Sequence, residues 1–368
     1  MVSRPALKRY LTVVPSESGW LCQGGESELV RLRADAKHQK LFDFLLSHLD
    51  GRRTVDEIVD ASKAEAIPAE SVRRMIEKLA ERGLLEEGGD GALTSAETSH
   101  FQNQLLYFGR FAGQENGAML QAKLKSSVAD VLALGPLGSA VARQLQELGV
   151  GRLRLFGDDD AQLSNLARGL QAARGSAPLT KLEVTALSAG KIADRDFDPT
   201  SLLIVALESW DPAFIEDVNA RAIETKRPWL LLQSPGVKEG TVGPLFVPPT
   251  TACYACLESR LLSHMSFHAE YREFRHHLLA TSTRSRPWGS LMPNVEILAG
   301  FAALEAAKFI TGFATPVLLG AFVTIDWFEM KMRNHHVLRV PRCLACRPPH
   351  VQKFPWERAL LEPLDEEP

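Results

Sequence analysis

The stretch "VLALGPLGSAVARQLQELGVGRLRLFGDDDAQLSNLARG" at residues 131–169 decides the fold. Its pattern indicates a buried strand, a turn that contains glycine, a helix that ends at glycine and a second strand. In a nucleotide-binding sheet, such glycines let backbone N–H groups approach a phosphate at the helix N-terminus. Further apolar runs at 200–209, 227–234 and 321–332 alternate with helical patterns. Together they predict an open, doubly wound α/β sheet of the Rossmann type.

Composition excludes several classes of partner. The formal net charge is −3 over 368 residues, so there is no basic field that would favour nucleic acid. No apolar run reaches the length of a membrane span, and residues 1–14 lack the apolar core of a signal peptide. We therefore expect a cytoplasmic protein that binds neither nucleic acid nor membrane.

Four of the five cysteines form two Cys-x-x-Cys pairs, "CYAC" at 253–256 and "CLAC" at 343–346. In a reducing compartment, such pairs are metal ligands more often than disulfides. Four thiolates complete a tetrahedral zinc shell and leave no ligand position for water, so the expected zinc is structural. A redox pair is the alternative interpretation. The predicted ligands are Cys253, Cys256, Cys343 and Cys346.

Residues 1–88 are predicted to form a domain of their own. Alternating apolar and polar residues at 8–15 and 19–34 indicate short antiparallel strands, and three amphipathic helices follow. Strands, three helices and a final extended segment outline a winged helix-turn-helix. Its third helix balances basic against acidic side chains, whereas a helix that follows DNA phosphates has a basic excess. A linker at 89–99, a sheet domain at 100–350 and a tail at 351–368 complete the predicted organisation.

The first domain has the features of a peptide-binding surface. A strand edge at 27–33 can pair with an extended peptide, and the apolar side of the third helix can supply a groove. The alternative for each apolar residue is simple core packing. The candidate edge residues are Leu29, Val30, Arg31 and Leu32. The candidate helix residues, divided between core and groove, are Val72, Met75, Ile76 and Leu79.

The glycine turn, "SNLAR" at 164–168, a following lysine, the helix at 300–312 and the two cysteine pairs occur in a specific order. This set resembles the E1-like, ThiF/MoeB-type adenylating enzymes over about residues 100–350. In that family, ATP adenylates the C-terminus of a protein or peptide, and zinc pins the last segment to the sheet. The resemblance implies that the matching nucleotide-site residues are Gly135, Gly138, Asn165, Arg168 and Lys181.

Other positions depart from the family pattern. Pro136 replaces a glycine and has no N–H to offer phosphate. Gly157 stands where an acidic residue holds the ribose, with Asp159 as a displaced substitute. Val205 stands where an acidic residue holds Mg²⁺, with Glu208 a few residues later. Losing such groups removes electrostatic stabilisation, so we expect a degenerate site with no catalytic residues and no ATP or Mg²⁺ cofactor.

A winged-helix recognition element of the PqqD-like kind, a decayed ATP site and an intact zinc site resemble one subgroup nearly end to end. These are the E1-like partner proteins of azole-forming peptide biosynthesis. The resemblance implies that the protein binds the leader of a ribosomally made precursor peptide and presents its core to a separate YcaO-type cyclodehydratase. A homodimer is compatible with it. The alternative is an ATP-dependent peptide-adenylating enzyme of the microcin type.

Overall fold

The computed structural model describes residues 2–16, 19–24, 29–33, 36–89, 91, 93–113, 115–133, 135–158, 160–173, 180–187, 200–233, 236–287 and 289–347. Asp159, residues 27 and 28 of the predicted edge, and the tail at 351–368 lie outside this part. The chain divides into two compact units. The first comprises residues 1–133, 139–186 and 299–316, and the second comprises 134–138, 187–298 and 317–368.

The N-terminal part of the first unit contains two small antiparallel sheets and three helices. Strands β2, β3 and β4 form one sheet in that order, and β1 pairs with β5 in the other. Apolar side chains of the strands and helices share one buried core. The elements are β1 (Pro5–Leu7), β2 (Thr12–Ser16), β3 (Gly19–Gln23), β4 (Leu29–Arg33), α1 (Ala36–His48), α2 (Val55–Ser62), α3 (Ala69–Glu81) and β5 (Leu85–Glu87).

Local sequence signals set the ends of these helices. Thr54 and Glu57 form a reciprocal capping box at the start of α2. Gly51 and Gly83 follow α1 and α3 with positive φ angles, a conformation that glycine adopts at little cost. The strands and helices predicted for 1–88 are therefore present, and their assignment as a winged helix stays a prediction.

The rest of the first unit is built around a parallel sheet in the order β6, β7, β8. Strands β6 and β7 are largely buried, as expected for strands predicted from apolar runs. Helix α4 begins inside the segment predicted as a linker. The elements are α4 (Ser95–His100), α5 (Gln102–Gly109), α6 (Gly117–Ser126), β6 (Val128–Ala133), α7 (Pro136–Glu147), β7 (Arg152–Gly157), α8 (Asp160–Ala173) and β8 (Lys181–Ala186). Helix α7 belongs to this unit from residue 139 onward, and its first turn belongs to the second unit.

The second unit contains a mixed sheet in which β9 and β10 are parallel and the following strands are antiparallel. Helix α12 begins in this unit and continues into the first from residue 299. The elements are β9 (Leu202–Leu207), α9 (Pro212–Thr225), β10 (Trp229–Gln233), β11 (Glu239–Phe246), α10 (Tyr254–His264), α11 (His268–Thr281), α12 (Met292–Thr311), β12 (Ala321–Asp326) and β13 (Lys331–His336).

The run at 321–332 differs from the expected single strand. It divides into β12 and the start of β13, because a turn at 327–330 interrupts it. The Asp326 carboxylate stabilises this turn by accepting hydrogen bonds from the backbone N–H groups of Phe328 and Glu329, each at 3.0 Å. Within the described part of the chain, no helix has the length and apolar character needed to span a bilayer.

Candidate functional site

The four predicted metal ligands meet in the second unit. The Sγ atoms of Cys253, Cys256, Cys343 and Cys346 all lie within 4.8 Å of one another. Three of the Sγ–Sγ distances are 3.8, 3.8 and 3.7 Å. A tetrahedron whose corners lie about 2.3 Å from a central zinc has edges of about 3.8 Å. The spacing of the sulfur atoms therefore fits a zinc ion with four thiolate ligands.

The surroundings of the thiols also favour a bound cation. Cys253 immediately precedes α10, and the backbone N–H of Val340 donates to Cys256 Sγ at 3.4 Å. Burial raises the pKa of the Cys253 thiol. Burial also opposes ionisation of Cys343, but backbone N–H groups of Cys346 and Ala345 outweigh it and lower that pKa to about 7. Since zinc binds thiolates, the ion would supply the positive charge that makes four closely spaced thiolates, three of them buried, tolerable.

The glycine turn, also in the second unit, holds a carboxylate of the chain itself. Glu208 follows β9, and its Oε1 accepts a hydrogen bond of 2.8 Å from the backbone N–H of Leu137 in the first turn of α7. A Cβ atom at Gly135 would lie 2.3 Å from Glu208 Cγ, so the side chain passes directly over this glycine. Gly138 is buried in the first turn of the same helix. The structure therefore brings three of the predicted nucleotide-site residues, Gly135, Gly138 and Glu208, to one place.

Three other predicted nucleotide-site residues, Asn165, Arg168 and Lys181, lie in the first unit and are exposed. On α8, the Arg168 guanidinium donates to the Asn165 side-chain oxygen. Lys181, at the start of β8, forms an ion pair with Glu183 at 2.8 Å. Gly157 ends β7, and a Cβ atom there would lie 2.9 Å from a methyl carbon of Leu163. Position 157 therefore leaves no room for the acidic side chain that the family has there unless Leu163 moves.

A cavity of about 820 Å³ opens on one face of the sheet in the second unit. This volume is that of a site for a drug-sized ligand or a few peptide residues. The floor includes Gln233, Thr241 and Thr324, and aromatic side chains from after β9 and from the region of α10 and α11 form the walls. Glu208 is one of the lining residues, so a mainly apolar pocket adjoins the glycine turn.

Helix α11 carries one wall of this pocket. Trp210 stacks on Tyr271 with ring centroids 4.9 Å apart and on Phe274 at 6.0 Å. Arg275 holds the helix in place: its Nε donates to Glu258 of α10 at 2.9 Å, and its terminal nitrogen pairs with Glu216 of α9. The sequence alone did not point to these pocket residues. The aromatic residues within a segment rich in charge were the available signal.

The predicted peptide-binding residues divide by burial. Leu29 and Val30 on β4 are 65% and 45% exposed, whereas Leu32 points into the core. On α3, Met75 is half-buried at the edge of the core. The other three candidate residues of this helix, Val72, Ile76 and Leu79, are buried. The outer edge of β4 has no partner strand among the residues that the structure describes. The exposed part of the candidate surface is therefore the strand edge, with Met75 half-exposed on the helix.

Comparison with known proteins points in one direction. Residues 101–195 match the ThiF family profile. The chain is 27% identical over 241 residues to the sulfur carrier protein ThiS adenylyltransferase of Escherichia coli K12. The aligned region covers 61% of this chain and 88% of that protein.

Solved structures share the fold at low identity. The Escherichia coli microcin C7 biosynthetic enzyme MccB, in complex with N-formylated MccA, superposes with a TM-score of 0.62 at 19% identity, covering 93% of this chain and 99% of that one. MccB with ATP gives a TM-score of 0.59 with the same identity and coverage. The heterocyclase TruD gives 0.63 at 21% identity, and the match covers 94% of this chain and 43% of TruD. The chain is therefore similar to ThiF-type, E1-like proteins in the sequence of residues 101–195 and in its fold.

Proposed function

We propose that the protein binds the leader of a ribosomally made precursor peptide and presents its core to a YcaO-type, ATP-dependent cyclodehydratase that forms azolines. In this proposal residues 1–88 are a winged-helix recognition domain, and the chain contributes binding and activation without chemistry of its own. The structural neighbours support a role in peptide modification, since MccB was solved with a peptide and TruD is a heterocyclase.

The observation that carries the proposal is the exposed apolar edge of β4. Leu29 and Val30 expose much of their side chains next to backbone groups without a partner strand in the described part of the chain. A bound peptide strand would satisfy those groups and cover both side chains. Main-chain pairing does not depend on the sequence of the distant core, so one surface can present many reaction sites.

Tethering gives such a surface its effect on a partner enzyme. A core peptide attached to a bound leader reaches an effective concentration of the order of millimolar at a nearby active site. The gain therefore comes from holding the substrate, and the scaffold needs no catalytic group. Pro136, Gly157 and Val205, in place of family residues that contact nucleotide or metal, are in keeping with this division of labour.

Adenylation of a peptide by the chain itself is the second candidate. It is favoured by the retained glycine turn and by the likeness to MccB, which was solved with ATP. That likeness gives no support to the expectation that this chain does without nucleotide. In this alternative, the pocket beside Glu208 would receive the reacting end of the peptide.

One experiment separates the two candidates. The purified protein is mixed with ATP, Mg²⁺ and the precursor peptide, alone and with a YcaO-type cyclodehydratase, and AMP, pyrophosphate and azoline formation are measured. We expect no AMP or pyrophosphate from the protein alone and strong stimulation of azoline formation by the partner. Production of AMP and pyrophosphate by the protein alone would establish the adenylating enzyme instead.

A further inference from the structure

We propose that Glu208 is a built-in occupant of the glycine turn, whose carboxylate takes the place of a nucleotide phosphate and excludes it. This inference deepens the proposed function and rests on its claim that the chain has no nucleotide chemistry of its own. It assigns to one residue the cause that keeps this site closed, and it predicts that the closure is reversible by substitution.

The contacts define the occupant. A helix N-terminus attracts an anion because its first N–H groups lack partners within the helix. In α7, Pro136 has no N–H, and the N–H of Leu137 already donates to Glu208 Oε1 at 2.8 Å. The site is therefore occupied by an anion that the chain supplies from the end of the adjacent strand β9.

Gly135 leaves space for the Glu208 side chain in this arrangement. In a nucleotide-binding turn, a glycine lets the phosphate come close to the backbone. Here the space over its Cα contains the Glu208 side chain, whose Cγ, Oε1 and Cδ lie 2.3, 2.7 and 2.8 Å from the position of a Cβ. The glycine thus accommodates the occupant, and a phosphate would have to displace both its volume and its negative charge.

The test uses anion binding by the full-length, metal-loaded protein. Isothermal titration calorimetry measures the affinity for ATP, with and without Mg²⁺, and for inorganic pyrophosphate, which lacks the base and the ribose. Wild type is compared with Glu208→Ala, which removes charge and volume, and with Glu208→Gln, which removes the charge alone. We expect both variants to bind ATP and pyrophosphate more tightly than wild type, by about tenfold for Glu208→Ala.

Asp211 offers a matched control. It lies three residues further on and its carboxylate accepts a hydrogen bond from the Phe214 N–H at 3.0 Å at the start of α9. Asp211→Ala therefore removes the same charge from a similar contact at a different helix, and we expect it to leave anion affinity at the wild-type level. An equal gain in this control would reduce the effect to net charge and overturn the proposal.

Two further outcomes also decide the matter. Glu208 variants that melt at the wild-type temperature and bind anions no better than wild type would overturn the inference. If Glu208→Ala fails to fold, the nearly isosteric Glu208→Gln carries the test. Leader binding by wild type is measured in parallel. If wild type does not bind the leader, the proposed function is wrong, whatever the Glu208 variants do. If wild type binds the leader but the Glu208 variants gain no anion affinity, this inference alone is wrong.

Discussion

Glu86 is a carboxyl group whose burial ties the stability of the first unit to pH. The residue lies on β5 and is 2% exposed, with Arg9 Nε 3.7 Å from its carboxylate. Burial raises its pKa to about 7, and the charges of Arg9 and Lys8 only partly offset that rise. Burial likewise lowers the pKa of Lys8, against the opposing charge of Glu86.

The raised pKa predicts a definite direction of the pH effect. Between about pH 4.5, the ordinary value, and pH 7, the folded chain keeps a proton on Glu86 that the unfolded chain has lost. Folding is therefore favoured at the low end of this window, and stability declines as pH rises through it. We expect Glu86→Gln to remove about 1–3 kcal/mol of this decline.

Urea denaturation at pH 5 and pH 7.5 measures the effect. The difference between the two unfolding free energies should be smaller in Glu86→Gln than in wild type. Asp60→Asn, at an exposed ion pair with Lys63, is a suitable control and should retain most of the wild-type difference. Equal pH dependence in Glu86→Gln and wild type would contradict the assignment.

At this scale, the sequence was most informative where chemistry restricts the residue type. The cysteine quartet could be predicted from spacing, since two Cys-x-x-Cys pairs are typical of a structural zinc site, and the structure brings the four together. Glu208 was recognised only as a possible metal-site remnant. Its contact with Leu137 depends on the end of β9 lying next to the start of α7, and no local pattern contains that information.

At the scale of the element, the edge strand β4 allows a controlled test of leader binding. Val30 on β4 and Val14 on β2 are 45% and 46% exposed, and they lie on the two outer strands of the same small sheet. We expect Val30→Asp to weaken leader binding at least about tenfold. An aspartate disfavours strand pairing, and its charged side chain is costly to bury under a bound peptide. Val14→Asp should have little effect.

Fluorescence anisotropy with a labelled leader peptide measures both affinities. Leu29→Asp and Met75→Asp extend the test to the neighbouring strand residue and to α3. Circular dichroism checks that each variant folds. Equal loss of affinity in Val14→Asp and Val30→Asp would argue for general damage to the sheet, and unchanged affinity in all the β4 variants would exclude this edge as the binding surface.

Elements with a strong period were predicted well, and those shaped by tertiary contacts were not. The capping box at Thr54 and the buried run of β6 carry their signals locally. Helix α11 is rich in charge and exposes most of its residues. Its role as a pocket wall comes from the stacking of Trp210 on its aromatic side chains and from the contacts of Arg275 with α9 and α10. The hairpin of β12 and β13 was missed because Trp327 and Phe328 continue the apolar pattern through the turn.

At the scale of the whole molecule, the metal is predicted to be required for a stable fold. Cys343→Ser removes one of the four ligands and leaves a buried, incomplete site. We expect about one zinc per chain in wild type, clearly less in the variant, and a melting temperature lowered by several degrees, since metal binding and folding are coupled.

Atomic absorption and thermal denaturation check this prediction. Cys22→Ser provides the control, since Cys22 is a buried cysteine of the N-terminal core that takes no part in the cluster. It should keep its zinc even where its stability falls. Wild-type protein purified without zinc, with an undiminished melting temperature, would disprove a structural metal.

The position of the two cysteine pairs along the chain has a nutritional consequence. Residues 257–342 lie between the pairs, and this segment includes α11 and the pocket-lining residues Phe322 and Thr324. A zinc ion held by both pairs would therefore fasten both ends of this segment, which lines part of the cavity. In a cell starved of zinc, we expect metal-free protein with a less ordered pocket to accumulate. The yield of any product made with this protein should then depend on the supply of zinc as well as on the supply of ATP.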